Sequence, residues 1–320
     1  VSALLTLLAR WLAQRRRFGY AYVLIGLGIL LKLYPAFLLP VIAIEHWQVA
    51  AAFARVRGEP VPDLAALRTQ WRRPRAKARE LWASPAVRRV VAGVGLCVAV
   101  VAVGFLGPLI LNPGGALTGF GYASDRPLQI ESTPATLLWI GTLFGIPAHP
   151  DYSFVSLNYV GALDGVLKSL SALALAGGCC VVYWRQARGK LSAGQAMLAC
   201  LCVVLVTNKI FSPQYLIWVL PIVAYEDGFD PLWLAICVLT TLDFPIIYQM
   251  RHPIWTVPFS WQFMPVLALR NGLLTWVTIR AILRGGKTVP LPQLEAAAPA
   301  RVEAEAADLA GAASTPALIG

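Results

Sequence analysis

Val90–Leu111 reads VVAGVGLCVAVVAVGFLGPLIL, an apolar stretch that follows directly on Arg88-Arg89 and stops at Asn112-Pro113-Gly114-Gly115. A helix needs about 20 apolar residues to cross the hydrocarbon core of a bilayer, and this stretch carries no charge over that length. It reads as a membrane span running away from the arginines. Further apolar blocks lie on either side: Phe18–Phe53, Ala162–Trp184, Ala193–Val206, Gln214–Ala224, Leu232–Gln249 and Phe263–Leu283. Only 13% of the residues are charged and 58% are hydrophobic, with a mean hydropathy of +0.65. Soluble domains carry about 25% charged residues, so lipid must cover much of this surface. The fold class is all-α, a polytopic integral membrane protein.

The net charge of +11 is distributed as membrane topology requires rather than as a nucleic-acid site. Ten of the 27 Lys/Arg residues lie between Glu45 and Arg89, and others flank apolar blocks (Arg15, Arg16, Arg17; Arg185, Arg188, Lys190), which marks those segments as cytoplasmic. One straight span over 18–53 would put the basic segment 55–89 on the side opposite Arg15–Arg17. Two shorter helices, 18–31 and 36–53, resolve this by turning at Lys32–Pro35, where proline disfavours helix at Tyr34. Trp71 and Trp82, set among the arginines, suggest helices lying on the membrane surface. Residues 112–161 form an outer loop with a short apolar piece, Leu137–Ile146. Ala193–Val206 and Gln214–Ala224 make a second broken hairpin around Thr207–Pro213, and Arg251–Trp261 is another outer loop. The membrane domain thus covers 1–284. Residues 285–320, rich in Ala, Pro and Glu, read as a disordered cytoplasmic tail.

All six cysteines fall inside apolar blocks and indicate neither a disulfide framework nor a zinc site. The chain opens at Val1 inside an apolar segment that precedes Arg15–Arg17, the reverse of a signal peptide's order. This predicts a sequence that begins part-way through a longer protein.

Three polar stretches stand out: Leu31-Lys32-Leu33-Tyr34-Pro35; Tyr122 to Ser132, with Arg126, Gln129, Glu131 and Ser132; and Asn208 to Tyr215, with Lys209, Ser212, Gln214 and Tyr215. Lys32 and Lys209 occupy matching Lys-x-aromatic turns. A lysine at membrane depth costs about 2.5–3.5 kcal/mol and usually meets an anion. The planar fork of Arg126 suits phosphate. A phosphate-linked lipid at the outer leaflet fits this set; snorkelling to lipid headgroups is the plainer alternative for each lysine. Elsewhere, Asp164 and Lys168 are spaced to pair on one helix. Asp243 and Arg270 sit at similar depth in consecutive spans, as an intramembrane ion pair would. His149 and His252 lie beside prolines without a second ligand, so no metal site is indicated.

The three stretches resemble patterns of the polyprenyl-phosphate-mannose-dependent mannosyltransferases of glycosyltransferase family 87, which have the GT-C membrane fold: K-x-Y-P at Lys32–Pro35, R-x-L-Q-x-E-S at Arg126–Ser132, and S-P-Q-Y-L-x-W-x-x-P at Ser212–Pro221. The likeness runs over residues 1–285. It implies a GT-C-like bundle with broken hairpin helices, in the cell membrane. It also implies inverting transfer of a sugar, typically mannose, from a polyprenyl phosphate to a glycan or glycolipid acceptor, without a cofactor. Lys32, Arg126 and Lys209 would hold the donor phosphate, supported by Tyr34, Gln129, Glu131, Ser132, Ser212, Gln214 and Tyr215. In GT-C enzymes the base is an Asp on the first outer loop, which would fall before Val1 and leave this chain inactive alone. Some relatives carry a His pair where this chain has Gln214-Tyr215. A transporter or lipid flippase would also show broken helices and intramembrane charge, but the segments flanking the paired lysine turns do not repeat. A non-catalytic membrane scaffold, a third reading, gives no reason for the second and third stretches.

Overall fold

The structure is a computed structural model that describes residues 1–62, 74–247 and 263–284. In chain order the elements are α1 (Ser2–Gln14), α2 (Phe18–Leu31), a 3-10 turn (Tyr34–Leu38) running into α3 (Leu39–Val56), α4 (Pro74–Ala83), α5 (Pro85–Leu111), α6 (Pro113–Asp125), β1 (Leu128–Gln129), α7 (Thr133–Thr142), β2 (Ala148–Ser153) and β3 (Ser156–Gly161). There follow α8 (Asp164–Ala187), α9 (Ala193–Thr207), a second 3-10 turn (Pro213–Tyr215), α10 (Leu216–Glu226), α11 (Pro231–Thr241) with a π turn (Leu242–Ile247), and α12 (Phe263–Leu283). Tyr34–Val56, Pro85–Leu111, Asp164–Ala187 and Phe263–Leu283 are long and apolar enough to cross a membrane; Phe18–Leu31, Ala193–Thr207 and Pro231–Ile247 are apolar but shorter. The two predicted breaks are where the chain turns. Lys32 and Asn208 both adopt extended backbone at a helix end, and a proline-bearing 3-10 turn follows each.

The bundle is built around α9. A helix apolar on every side belongs in the core, and α9 is buried nearly throughout from Ala193 to Leu205, opened by a capping box between Ser192 and Gln195. At the other extreme, α5 turns Val98, Val103, Leu106 and Ile110 outward, an exposed apolar face suited to lipid. Helices in lipid gain nothing from hiding oil from oil, so close approach depends on small residues. Between α2 and α5, Gly93 receives the ring of Tyr22 and Gly104 receives Leu30; a Cβ on either glycine would overlap the incoming side chain.

The two ends of the bundle differ. At one, Arg10 bridges Glu45 (3.1 Å) and Glu226 (3.2 Å), Arg280 pairs with Asp230, and Arg284 pairs with Asp227. Arg15 lies over Trp11, and Arg188 and Lys190 over Trp184, the arrangement of an interfacial anchor. At the other end, residues 112–161 are not a loop. They fold into α6, α7 and a three-stranded antiparallel sheet of order β1-β3-β2, with Leu128 opposite Tyr159 and Asp151 opposite Asn158. The sheet is a small addition to a fold that is otherwise helical, as the all-α reading expects. It forms because this segment has its own apolar cluster: Leu128, Ile130, Leu157 and Tyr159 pack with Leu138 of α7 and with Phe263, Met264 and Leu267 of α12. As anticipated, Lys168 pairs with Asp164 at 2.8 Å. Trp71, the loop Arg251–Trp261 with His252, and the tail 285–320 lie outside the described residues.

Candidate functional site

The second and third polar stretches are stitched together through the backbone. Lys209 Nζ donates to the carbonyls of Ser124 (2.6 Å) and Arg126 (2.9 Å), while the amide of Gln129 donates to the carbonyl of Lys209 (2.9 Å). Between them opens a cavity of about 390 Å³, lined by Arg126, Gln129 and Glu131 from one stretch and by Ser212, Gln214 and Tyr215 from the other. Val155 and Ser156 from the β2–β3 hairpin and Phe244 from the π turn complete its rim. At the hairpin tip, Phe154 and Val155 both have positive φ, as a type I′ turn requires; the conformation is strained for a β-branched valine. Tyr122 holds the tip by donating its hydroxyl to the carbonyl of Phe154 at 2.6 Å. Asn158, wholly buried, ties the hairpin from inside by donating to the carbonyl of Ser153 at 2.8 Å.

Beside the cavity lies a cation that the sequence did not assign to the site. Arg270 of α12 is fully buried, packs its guanidinium 4.3 Å from the ring centre of Phe211, and donates Nη2 to the carbonyl of Glu131 at 2.5 Å. Asn271 reaches the same carbonyl and also the hydroxyl of Thr136 at 2.7 Å. Together they fix the backbone that carries Glu131. Glu131 as a whole is 4% exposed, and its Oε2 has no hydrogen-bond partner among the described residues. Burial, and then the nearby Asp243, push it up to about 8 against the opposing pull of Arg270. The expected ion pair between Asp243 and Arg270 does not form: Arg270 turns to the Glu131 carbonyl, and neither carboxylate oxygen of Asp243 has a hydrogen-bond partner among the described residues.

Of the residues expected at the site, Arg126, Gln129, Glu131, Ser212, Gln214 and Tyr215 come together around the cavity. Four are elsewhere. Lys32 is exposed at the end of α2 and does not line the cavity. Tyr34 is buried and stacks on Trp218 at 4.5 Å, which in turn stacks on Tyr215 at 4.1 Å, so it supports the cavity wall from behind. Ser132 is the N-cap of α7, its hydroxyl accepting from the amide of Ala135, and is wholly buried. Lys209 directs its ammonium at two carbonyls, which orders the segment carrying Arg126. Among the described residues no three His, Cys, Asp or Glu side chains gather as a metal site.

Chemically, the cavity offers the guanidinium of Arg126 and the amide of Gln129, whose Nε and Oε1 have no hydrogen-bond partner among the described residues, together with three hydroxyls and a buried carboxyl. Such a set suits a ligand with one oxyanion and several hydroxyls. No family model matches the chain, and neither a curated protein nor a solved structure is detectably similar to it.

Proposed function

We propose that this chain belongs to a multi-pass membrane glycosyltransferase of the cell membrane. It takes a sugar, by the family resemblance mannose, from a polyprenyl phosphate and transfers it to a hydroxyl of a glycan or glycolipid. The observation that supports this reading is the convergence of the Arg126–Ser132 and Ser212–Tyr215 stretches on one cavity, with the guanidinium of Arg126 at its wall. In an inverting displacement the acceptor oxygen bonds to the anomeric carbon as the bond to the phosphate oxygen breaks, and the electron pair leaves with the phosphate. A fixed cation beside that phosphate stabilises the charge it gains. Arg126 takes this role, Lys209 orders the segment that bears it, and Gln129, Ser212 and Gln214 offer hydrogen bonds to sugar hydroxyls.

Membranes containing the protein, given radiolabelled polyprenyl-phosphate-mannose, are expected to transfer label to a glycan or glycolipid. Changing Arg126→Ala should lower that transfer by roughly ten- to a hundredfold, since a charge-assisted hydrogen bond is worth about 1.5–3 kcal/mol. Undiminished transfer by R126A would sink the reading. So would labelled donor that crosses the membrane without losing its sugar, which is the behaviour of a flippase.

A further inference from the structure

Glu131 and Arg126 line the same cavity, and this raises an electrostatic conflict. An ionised carboxylate at Glu131 would repel any phosphate that Arg126 attracts. The neighbouring cation does not neutralise it by contact, because Arg270 and Asn271 both donate to the backbone carbonyl of Glu131, and Oε2 has no hydrogen-bond partner among the described residues. A neutral carboxyl has the opposite effect, for its O–H is a donor that a phosphate oxygen can accept. We infer that Glu131, in its protonated form, donates a hydrogen bond to the phosphate held at Arg126, so that the cavity binds a prenyl phosphate, the group that transfer releases, only while that carboxyl keeps its proton. This rests on reading the cavity as the site of a phosphate-linked lipid, and it adds the protonation state in which that site binds.

The charged groups that act on Glu131 are Asp243 of the π turn and Arg270 of α12; Arg126 ahead of β1 and Tyr215 before α10 line the same cavity, Tyr159 of β3 packs in the apolar cluster beneath, and α7 contributes no ionisable group. Burial is the largest influence, Asp243 adds to it, Arg270 opposes it, and the carboxyl is pushed up to about 8. The sign follows directly. Below that value the group is neutral and can donate; above it the group is a carboxylate that only accepts and repels. Affinity is therefore full at neutral pH and falls as pH rises through about 8, approaching a tenfold loss per further unit. Phosphate's own second ionisation, near 6, lies below this window.

The test is equilibrium binding of radiolabelled farnesyl phosphate, a prenyl phosphate monoester, to the full chain in nanodiscs from about pH 6.5 to about pH 9.5. Wild type should bind roughly thirtyfold more weakly at the alkaline end than at neutrality. Glu131→Gln keeps a donor but cannot ionise, so its affinity should stay within about threefold across the range. Glu131→Ala removes the donor and should bind more weakly than E131Q at neutral pH. An E131Q curve that falls with pH as wild type does overturns the inference and assigns the titration to another group, Lys209 first. Absence of saturable farnesyl phosphate binding by wild type at every pH is a separate outcome: it removes the phosphate reading of the cavity itself, and the inference with it.

Discussion

At residue 270 a guanidinium lies fully buried with its face on Phe211 and one nitrogen on the carbonyl of Glu131. A planar, delocalised cation can do both at once; a lysine ammonium is a compact, strongly hydrated charge that can do neither as well. Arg270→Lys should therefore lose one charge-assisted hydrogen bond and the stacking on Phe211, lowering stability by about 1.5–3 kcal/mol. Denaturant unfolding in detergent measures this, and an unchanged midpoint would show that the arginine is held by its charge alone. The sequence exposed Arg270 as a charge inside the apolar stretch Phe263–Leu283, but not its partner. Depth matching pointed to Asp243, whereas the actual acceptor is a backbone carbonyl, and carbonyls leave no mark in a residue pattern. Ser132 shows the same limit. It belongs to a motif whose other members line the cavity, yet its hydroxyl is engaged as a helix cap.

At the scale of elements, the contact between α2 and α5 depends on two glycines that accept Tyr22 and Leu30. Replacing Gly93 by Leu puts a side chain where the Tyr22 ring already sits, so one helix must move. Overpacking of this kind costs about 1–3 kcal/mol, and nothing in lipid offsets it. The expected result is a lower unfolding midpoint for Gly93→Leu, while Gly95→Leu, at a position open to surroundings, stays near wild type. Equal loss in both variants would mean that helix propensity, not packing, sets the effect. Element boundaries were largely legible, because proline, lysine and a change of polarity coincide at Lys32–Pro35 and again at Asn208–Pro213. The sheet was not, because its strands run only two to six residues and Pro127, Pro147 and Pro150 interrupt the alternation that would reveal them.

For the whole molecule, the positive end with Arg15, Arg188 and Lys190 and the cavity end with Val155 and Arg126 lie at opposite ends of the long helices. The positive-inside rule assigns the first to the cytoplasm. Cysteines introduced at Lys190 and at Val155, both exposed, should then react with a membrane-impermeant maleimide from opposite sides of sealed vesicles, over the background of the wild-type chain. Labelling of both from one side would overturn the arrangement and move the cavity to the cytoplasmic leaflet.

The apolar helices long enough to cross a membrane, the helix breaks and the two polar stretches that meet at the cavity were all legible in the sequence alone, since each depends on local composition. Whether Lys32, Tyr34, Lys209 or Arg270 belonged with them was decided only by the tertiary structure. The difference is distance along the chain: Lys209 meets the carbonyl of Ser124 across 85 positions, and Arg270 meets Glu131 across 139. Contacts that long are set by how helices pack, and packing depends on the volumes of all the side chains together rather than on any one stretch.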